Sequence, residues 1–177
     1  MIKLKEILLE NTAPDIFVPR RIEGRVERMI KTYIRNGSKG DLSLSGLNLT
    51  VLPDILKNVS IGGDFHCGFN NLTSLENCPS SVDGTFGCGN NELTSLEGSP
   101  SSVGGFFLCS RNKLTTLEGG PVKVGVDFYC SYNKLTSLEG APKTVGRDFY
   151  CGNNPVKFTR EQVRAVCDVK GKVIVIV

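Results

Sequence analysis

Seven cysteines are the residues best equipped for chemistry in this chain, and five of them, Cys67, Cys88, Cys109, Cys130 and Cys151, stand 21 residues apart. On adjacent parallel strands such a column of thiols stacks at about 4.8 Å, a spacing that invites metal binding or redox chemistry. Both chemistries need thiolates, which are costly in an apolar interior, and no His or Asp recurs beside the cysteines to complete a metal shell. The neighbouring pattern favours a plainer role. Phe65, Phe86, Phe107, Phe128 and Phe149 each precede a cysteine by two residues, so Phe and Cys share the inner face of a strand, where Cys serves as a small hydrophobe. Disulfides between neighbouring rungs would distort the stack, so reduced thiols are expected.

The other candidates for catalysis are thinner. His66 is the sole histidine and reads as a surface residue rather than a catalyst or ligand. The Gly-rich stretches Ile61-Gly62-Gly63 and Val103-Gly104-Gly105 precede no Gly-Lys-Ser/Thr and no helix, so they are turns into strands and not phosphate cradles. Glu97-Gly98, Glu118-Gly119 and Glu139-Gly140 repeat identically, which marks a solvated turn and not an acid–base pair. No catalytic residue, no metal and no cofactor is expected, and the chain reads as non-enzymatic.

The elements that position these residues follow from the period. Asn70, Asn91, Asn112, Asn133 and Asn154 keep the step of 21, as do two leucine columns (Leu72 to Leu135 and Leu75 to Leu138), a Pro column from Pro79 and a Val column from Val82. A fixed period in the twenties means a solenoid, whose units bury their apolar sides by stacking on one another. The alternation at Phe-x-Cys is a strand. Leu42 to Pro53 is a divergent sixth copy, with Leu42 and Leu44 in the places of Phe and Cys. At 177 residues, with 40% hydrophobic and 22% charged residues, the chain is long and apolar enough to fold as a single domain.

Leu-x-Leu-x-x-(Asn)-x-Leu-x-x-Leu resembles the leucine-rich repeat, over about residues 40 to 158, roughly two thirds of the chain. The short unit is similar to the bacterial effector class of these repeats, and the sub-pattern Val-Gly-Gly-Asp-Phe resembles repeat proteins of large tailed bacteriophages. The resemblance implies an α/β repeat fold: a leucine-rich-repeat solenoid with a parallel β-sheet on the concave face and an irregular convex side. It also implies that each Asn amide satisfies backbone groups where a strand turns away. Related effectors join such repeats to a ubiquitin-ligase domain with a catalytic Cys, but only about 20 residues follow the repeats here, and Cys167 has no His beside it.

Both ends read as caps. Ile22, Val26, Ile30 and Ile34, with Met29 and Tyr33, recur at helical spacing, so 20–35 is an amphipathic helix whose stripe covers the first rung. Pro14 and Pro19 punctuate the lead-in, and a short helix is open over 1–10. Thr159 and Gln162 form a capping box for a helix through about Cys167, and 172–177 reads as a closing strand. Val156, Phe158 and Thr159 displace the usual leucines, so the repeat is expected to end there. The organisation is thus an amino-terminal helical cap over 1–40, six rungs over 41–158 and a helix–strand cap over 159–177. Ile7-Leu8-Leu9 is too short for a secretory core and no segment reaches membrane-spanning length, so a cytoplasmic protein is expected, in the host cell if phage-encoded.

Binding residues are sought where the repeat varies. With Phe and Cys inward, the residues before, between and after them face outward on the sheet. Those positions hold His66, Phe69, Phe106, Leu108, Arg111, Asp127, Tyr129, Tyr132, Asp148 and Tyr150. Aromatic residues and Arg are enriched at interfaces, so a protein partner is expected on this face, a host protein if the phage resemblance holds. The chain itself would be a monomer or weak oligomer. A net charge of +3 disfavours nucleic acid, as do Asp64, Asp127 and Asp148. The local +4 of residues 1–40 and the stackable Tyr rings keep a nucleic-acid-associated accessory role open, beside a purely structural repeat.

Overall fold

The computed structural model describes residues 20–175, with side chains in the first helix from Gly24 onward. The helix expected over 1–10, the Pro14 and Pro19 lead-in, the side chain of Ile22 and the last two residues of the closing strand lie outside the described residues.

The period of 21 becomes a parallel β-solenoid of about six turns with two α-helices among the described residues. Each regular turn carries two very short strands. The strands that begin at Phe-x-Cys run from Leu42–Ser43 through Phe65–His66, Phe86–Gly87, Phe107–Leu108 and Phe128–Tyr129 to Phe149–Tyr150 and Val173–Ile174, forming a seven-stranded sheet. The Val column forms a second, six-stranded sheet from Ser60–Ile61 through Ser81–Val82, Ser102–Val103, Lys123–Val124 and Thr144–Val145 to Asp168–Val169.

Register is fixed by the apolar columns. Phe65, Phe86, Phe107, Phe128 and Phe149 pair in sequence along the first sheet, and their rings stack with centroids 6.0, 5.1, 5.5 and 5.0 Å apart. A slip of one residue would turn each Phe to solvent and forfeit roughly 1.5–3 kcal/mol per ring. Beneath them lie the cysteines and both leucine columns in one continuous core. All seven cysteines are buried free thiols. Burial pushes the Cys67 thiol up to about 12 and those of Cys151 and Cys167 to about 11, so none is a thiolate near neutral pH.

The Asn column does what the resemblance implied. Asn112 Nδ2 donates to the carbonyls of Cys88 and Cys109, both at 3.1 Å, while its Oδ1 accepts from Leu93 N at 3.0 Å. Asn91, Asn133 and Asn154 repeat this set, and Asn70 uses Leu44 and Cys67 with Leu47 and Leu49. A strand of two residues is too short to hold its turn alone, and the buried amide closes the backbone account.

The structure corrects three expectations and adds one buried residue that the pattern did not mark. The side expected to be irregular carries the second sheet, because its turns approach too closely for any side chain: a Cβ on Gly125 would collide with the Gly104 carbonyl. The ladder does not end where the leucine pattern fails at Phe158. Asp168–Val169 and Val173–Ile174 extend both sheets, with the helix Arg160–Val166 between them and the first ladder's last full rung. That helix opens on the expected capping box, Gln162 N donating to Thr159 Oγ1 at 3.2 Å and Thr159 N to Gln162 Oε1 at 2.8 Å. In the helix Arg20–Arg35, Val26, Ile30 and Tyr33 join the core, but Ile34 is exposed. Finally, Cys78, which lies off the 21-residue column, is also buried in the core. No helix among the described residues is long and apolar enough to cross a membrane.

Candidate functional site

Three outward columns run along the seven-stranded sheet. The first lies between Phe and Cys and reads Ser43, His66, Gly87, Leu108, Tyr129, Tyr150 and Ile174 in register. Gly87 has no side chain, and the His66 ring occupies the space that a Cβ there would take, its Nδ1 2.6 Å away. Beside them is a cavity of about 280 Å³, lined by His66, Phe69, Leu108, Arg111 and Tyr129 together with Gly68, Gly87 and Gly89. Five of the residues picked from the sequence therefore share one concavity. Further along, Tyr129 and Tyr150 stack with ring centroids 4.2 Å apart and planes 6° from parallel.

The second column precedes Phe and holds Asp64, Thr85, Phe106, Asp127 and Asp148. Asp127 was expected to face solvent, and this is corrected: its side chain is 0% exposed. Asp127 Oδ1 accepts from Arg147 Nε at 2.7 Å and from Asp148 N at 3.0 Å, and Oδ2 accepts from Arg147 Nη2 at 2.6 Å and Tyr129 OH at 3.2 Å. Burial alone would raise its pKa, but the guanidinium, the amide and the hydroxyl outweigh it and hold Asp127 below the usual carboxylate value. Tyr129 moves the other way, raised by burial, by Tyr150 and by the Asp127 charge. The carboxylates of Asp41, Asp64 and Asp148 likewise accept the backbone amides of Asp64, Thr85 and Lys172, at 2.8, 2.7 and 2.7 Å. This column is a brace between rungs. In the two rungs that lack Asp, Thr85 is buried and Phe106 is half-buried, the latter with the Arg147 guanidinium 5.5 Å from its ring centroid.

The third column stands just before each ladder Asn: Phe69, Asn90, Arg111, Tyr132 and Asn153, all with φ between 54° and 58°, with Gly46 in the matching place of the first rung. Asn tolerates this left-handed backbone, whereas Phe, Arg and Tyr adopt it at a cost. Phe69 is 69% exposed and Tyr132 49%. The Arg111 guanidinium lies 4.4 Å over the Tyr132 ring.

His66 Nε2 stands 3.8 Å from Asp64 Oδ2, an ion pair only when the imidazole is protonated. Among the described residues no three His, Cys, Asp or Glu side chains converge as a metal shell requires. Sequence reasoning missed Arg147, the cavity beside Gly87 and the strain of the third column. Asn90 and Asn153, in two rungs of that column, were the available signal for a left-handed turn. Against known proteins, the chain matches no family model, and no curated protein matches it.

Proposed function

We propose that this chain is a non-enzymatic binding protein: a solenoid of the leucine-rich-repeat type, closed at its ends by the helix Arg20–Arg35 and by the segment from Thr159 onward, that offers the outward face of its seven-stranded sheet to a partner protein. One observation carries the reading. Phe69, Arg111 and Tyr132 occupy left-handed backbone positions where Asn or Gly serves on the other rungs, and all three side chains project into solvent. Strain retained at three rungs, with the costly residues turned outward, favours contact over packing. The bracing bonds of Asp127, Arg147 and Tyr129 favour a rigid surface, which loses little entropy on binding. The bacteriophage resemblance extends the proposal to a host protein as partner.

Photo-crosslinking in the producing cell tests it. A crosslinking side chain is placed at position 69 or 132, and at the exposed apolar positions Val156 and Val166 as controls. Adducts to a common protein from 69 and 132, and not from 156 or 166, are expected. Equal adducts from all four positions, or none from 69 and 132, overturn the proposal.

A further inference from the structure

Arg111 is a charge on the sheet face without an ion-pair partner among the described residues. Arg147 is matched by Asp127 at 2.6 Å, and Lys113 by Glu92. Arg111 rests on Tyr132, and among the described residues no carboxylate comes within ion-pair distance of it. Asp64 lies outside the cavity lining, where its carboxylate accepts the Thr85 amide at 2.7 Å and faces His66. Arg111 is the cation of the lining, which holds no carboxylate, while the walls, Phe69, Leu108 and Tyr129, are largely apolar.

Shape narrows the occupant. The cavity lining reaches from Ser45 to Tyr129 across five strands of the sheet. Four inter-strand steps of about 4.8 Å make a trough of about 19 Å, the length of five or six extended residues at about 3.3 Å each. A small molecule would fill one gap of this trough, whereas an extended chain fills all of it.

Building on the binding face proposed above, we infer that the groove takes an acidic peptide segment of the partner, with a bulky apolar side chain seated among Phe69, Leu108 and Tyr129 and a neighbouring carboxylate paired with Arg111. The cavity those three side chains wall admits the apolar group beside the His66 ring. The guanidinium, already oriented by Tyr132, meets the carboxylate in a charge-assisted, bidentate pair.

The full chain is immobilised and screened with a random peptide library, and enriched peptides are synthesised and titrated by fluorescence anisotropy. Enrichment of Asp or Glu beside a large apolar residue is expected. Arg111→Gln, a surface change that leaves the core intact, should weaken these peptides about tenfold or more, Arg111→Lys should restore part of the loss, and Arg111→Glu should prefer the same peptide with its acid replaced by Lys. Leu108→Ser, which removes one apolar wall of the cavity, should weaken binding, with circular dichroism confirming the fold. Peptides without acid, acidic peptides indifferent to Arg111, or no enrichment at all overturn the inference. The crosslinking pattern from positions 69 and 132 reports separately on the protein-binding face, so each reading can fail alone.

Discussion

Along one sheet face the two halves of the solenoid are finished differently. Over the later rungs the outward groups of the first two columns are answered from within: Asp127 grips Arg147, Tyr129 and Tyr150 stack face to face, and Arg147 covers Phe106. Over the earlier rungs Gly68, Gly87 and Gly89 bring no side chain to a cavity, Phe69 projects into solvent, and Arg111 has an aromatic support but no counter-charge. The same 21-residue unit underlies both halves, so the backbone does not cause the difference. One half is built as a wall and the other as a groove. A binding reading predicts that substitutions in the wall act on stability and those in the groove act on affinity.

The sharpest way to break that division is to remove what both halves share. Phe107 lies under their junction, stacked between Phe86 and Phe128 at 5.1 and 5.5 Å and fully buried. Phe107→Ala should cost about 3–5 kcal/mol, read by urea denaturation, and should loosen groove and wall together. If amide exchange rises in only one half, the two are separate folding units and the comparison is one of domains.

The next effect belongs to the wall alone. Asp127→Ala leaves Asp148 N and Tyr129 OH without their acceptor and should cost about 1–3 kcal/mol. Because the folded-state pKa of Asp127 lies below its ordinary value, the charged form is favoured by folding. Its contribution is therefore fully present above about pH 4 and is lost as pH falls through the lowered value. Thermal unfolding of wild type and variant should show a gap that is constant at neutral pH and narrows below about pH 4. A gap independent of pH would mean that shape, not charge, braces the wall. Crosslinking from position 69 should be unchanged in this variant.

The two halves were also unequally legible in sequence. Everything inward could be read, because stacking demands identity: Phe, Cys, Asn and Leu recur at 21 and their roles follow from strand alternation and buried-amide chemistry. Outward residues carry no such demand, so their type suggested contact without revealing which were already taken. Asp127 and Asp148 have the same residue type that marks exposed surface elsewhere, and only the Arg147 pair and the Lys172 amide show them as braces. The second sheet was hidden for another reason. Its strands are two residues long, and although the Val column marks them, one apolar residue per strand shows no alternation; their pairing also depends on glycines that let the turns approach. The closing strand at Val173–Ile174 was legible, but Asp168–Val169 was not, because Val169 continues the Val column at a step of 24 instead of 21.

The smallest effect on stability is the most discriminating. Phe69 has φ 54°, is 69% exposed, and occupies a column in which Asn stands at Asn90 and Asn153 with φ 55°. Asn is the residue that this backbone prefers, so Phe69→Asn should stabilise the fold by a few tenths of a kcal/mol up to about 1 kcal/mol, although it deletes a large apolar side chain. The phenyl ring returns little of that cost by packing, since most of it faces water. A binding role accounts for its presence: the same substitution should weaken capture of the partner, and of any peptide selected on the groove, while raising the denaturation midpoint. Opposite signs in the two measurements would place the groove's strain in the service of contact. If Phe69→Asn instead destabilised the chain, the ring would be packing where the structure shows it exposed, and the division between wall and groove would lose its strongest residue.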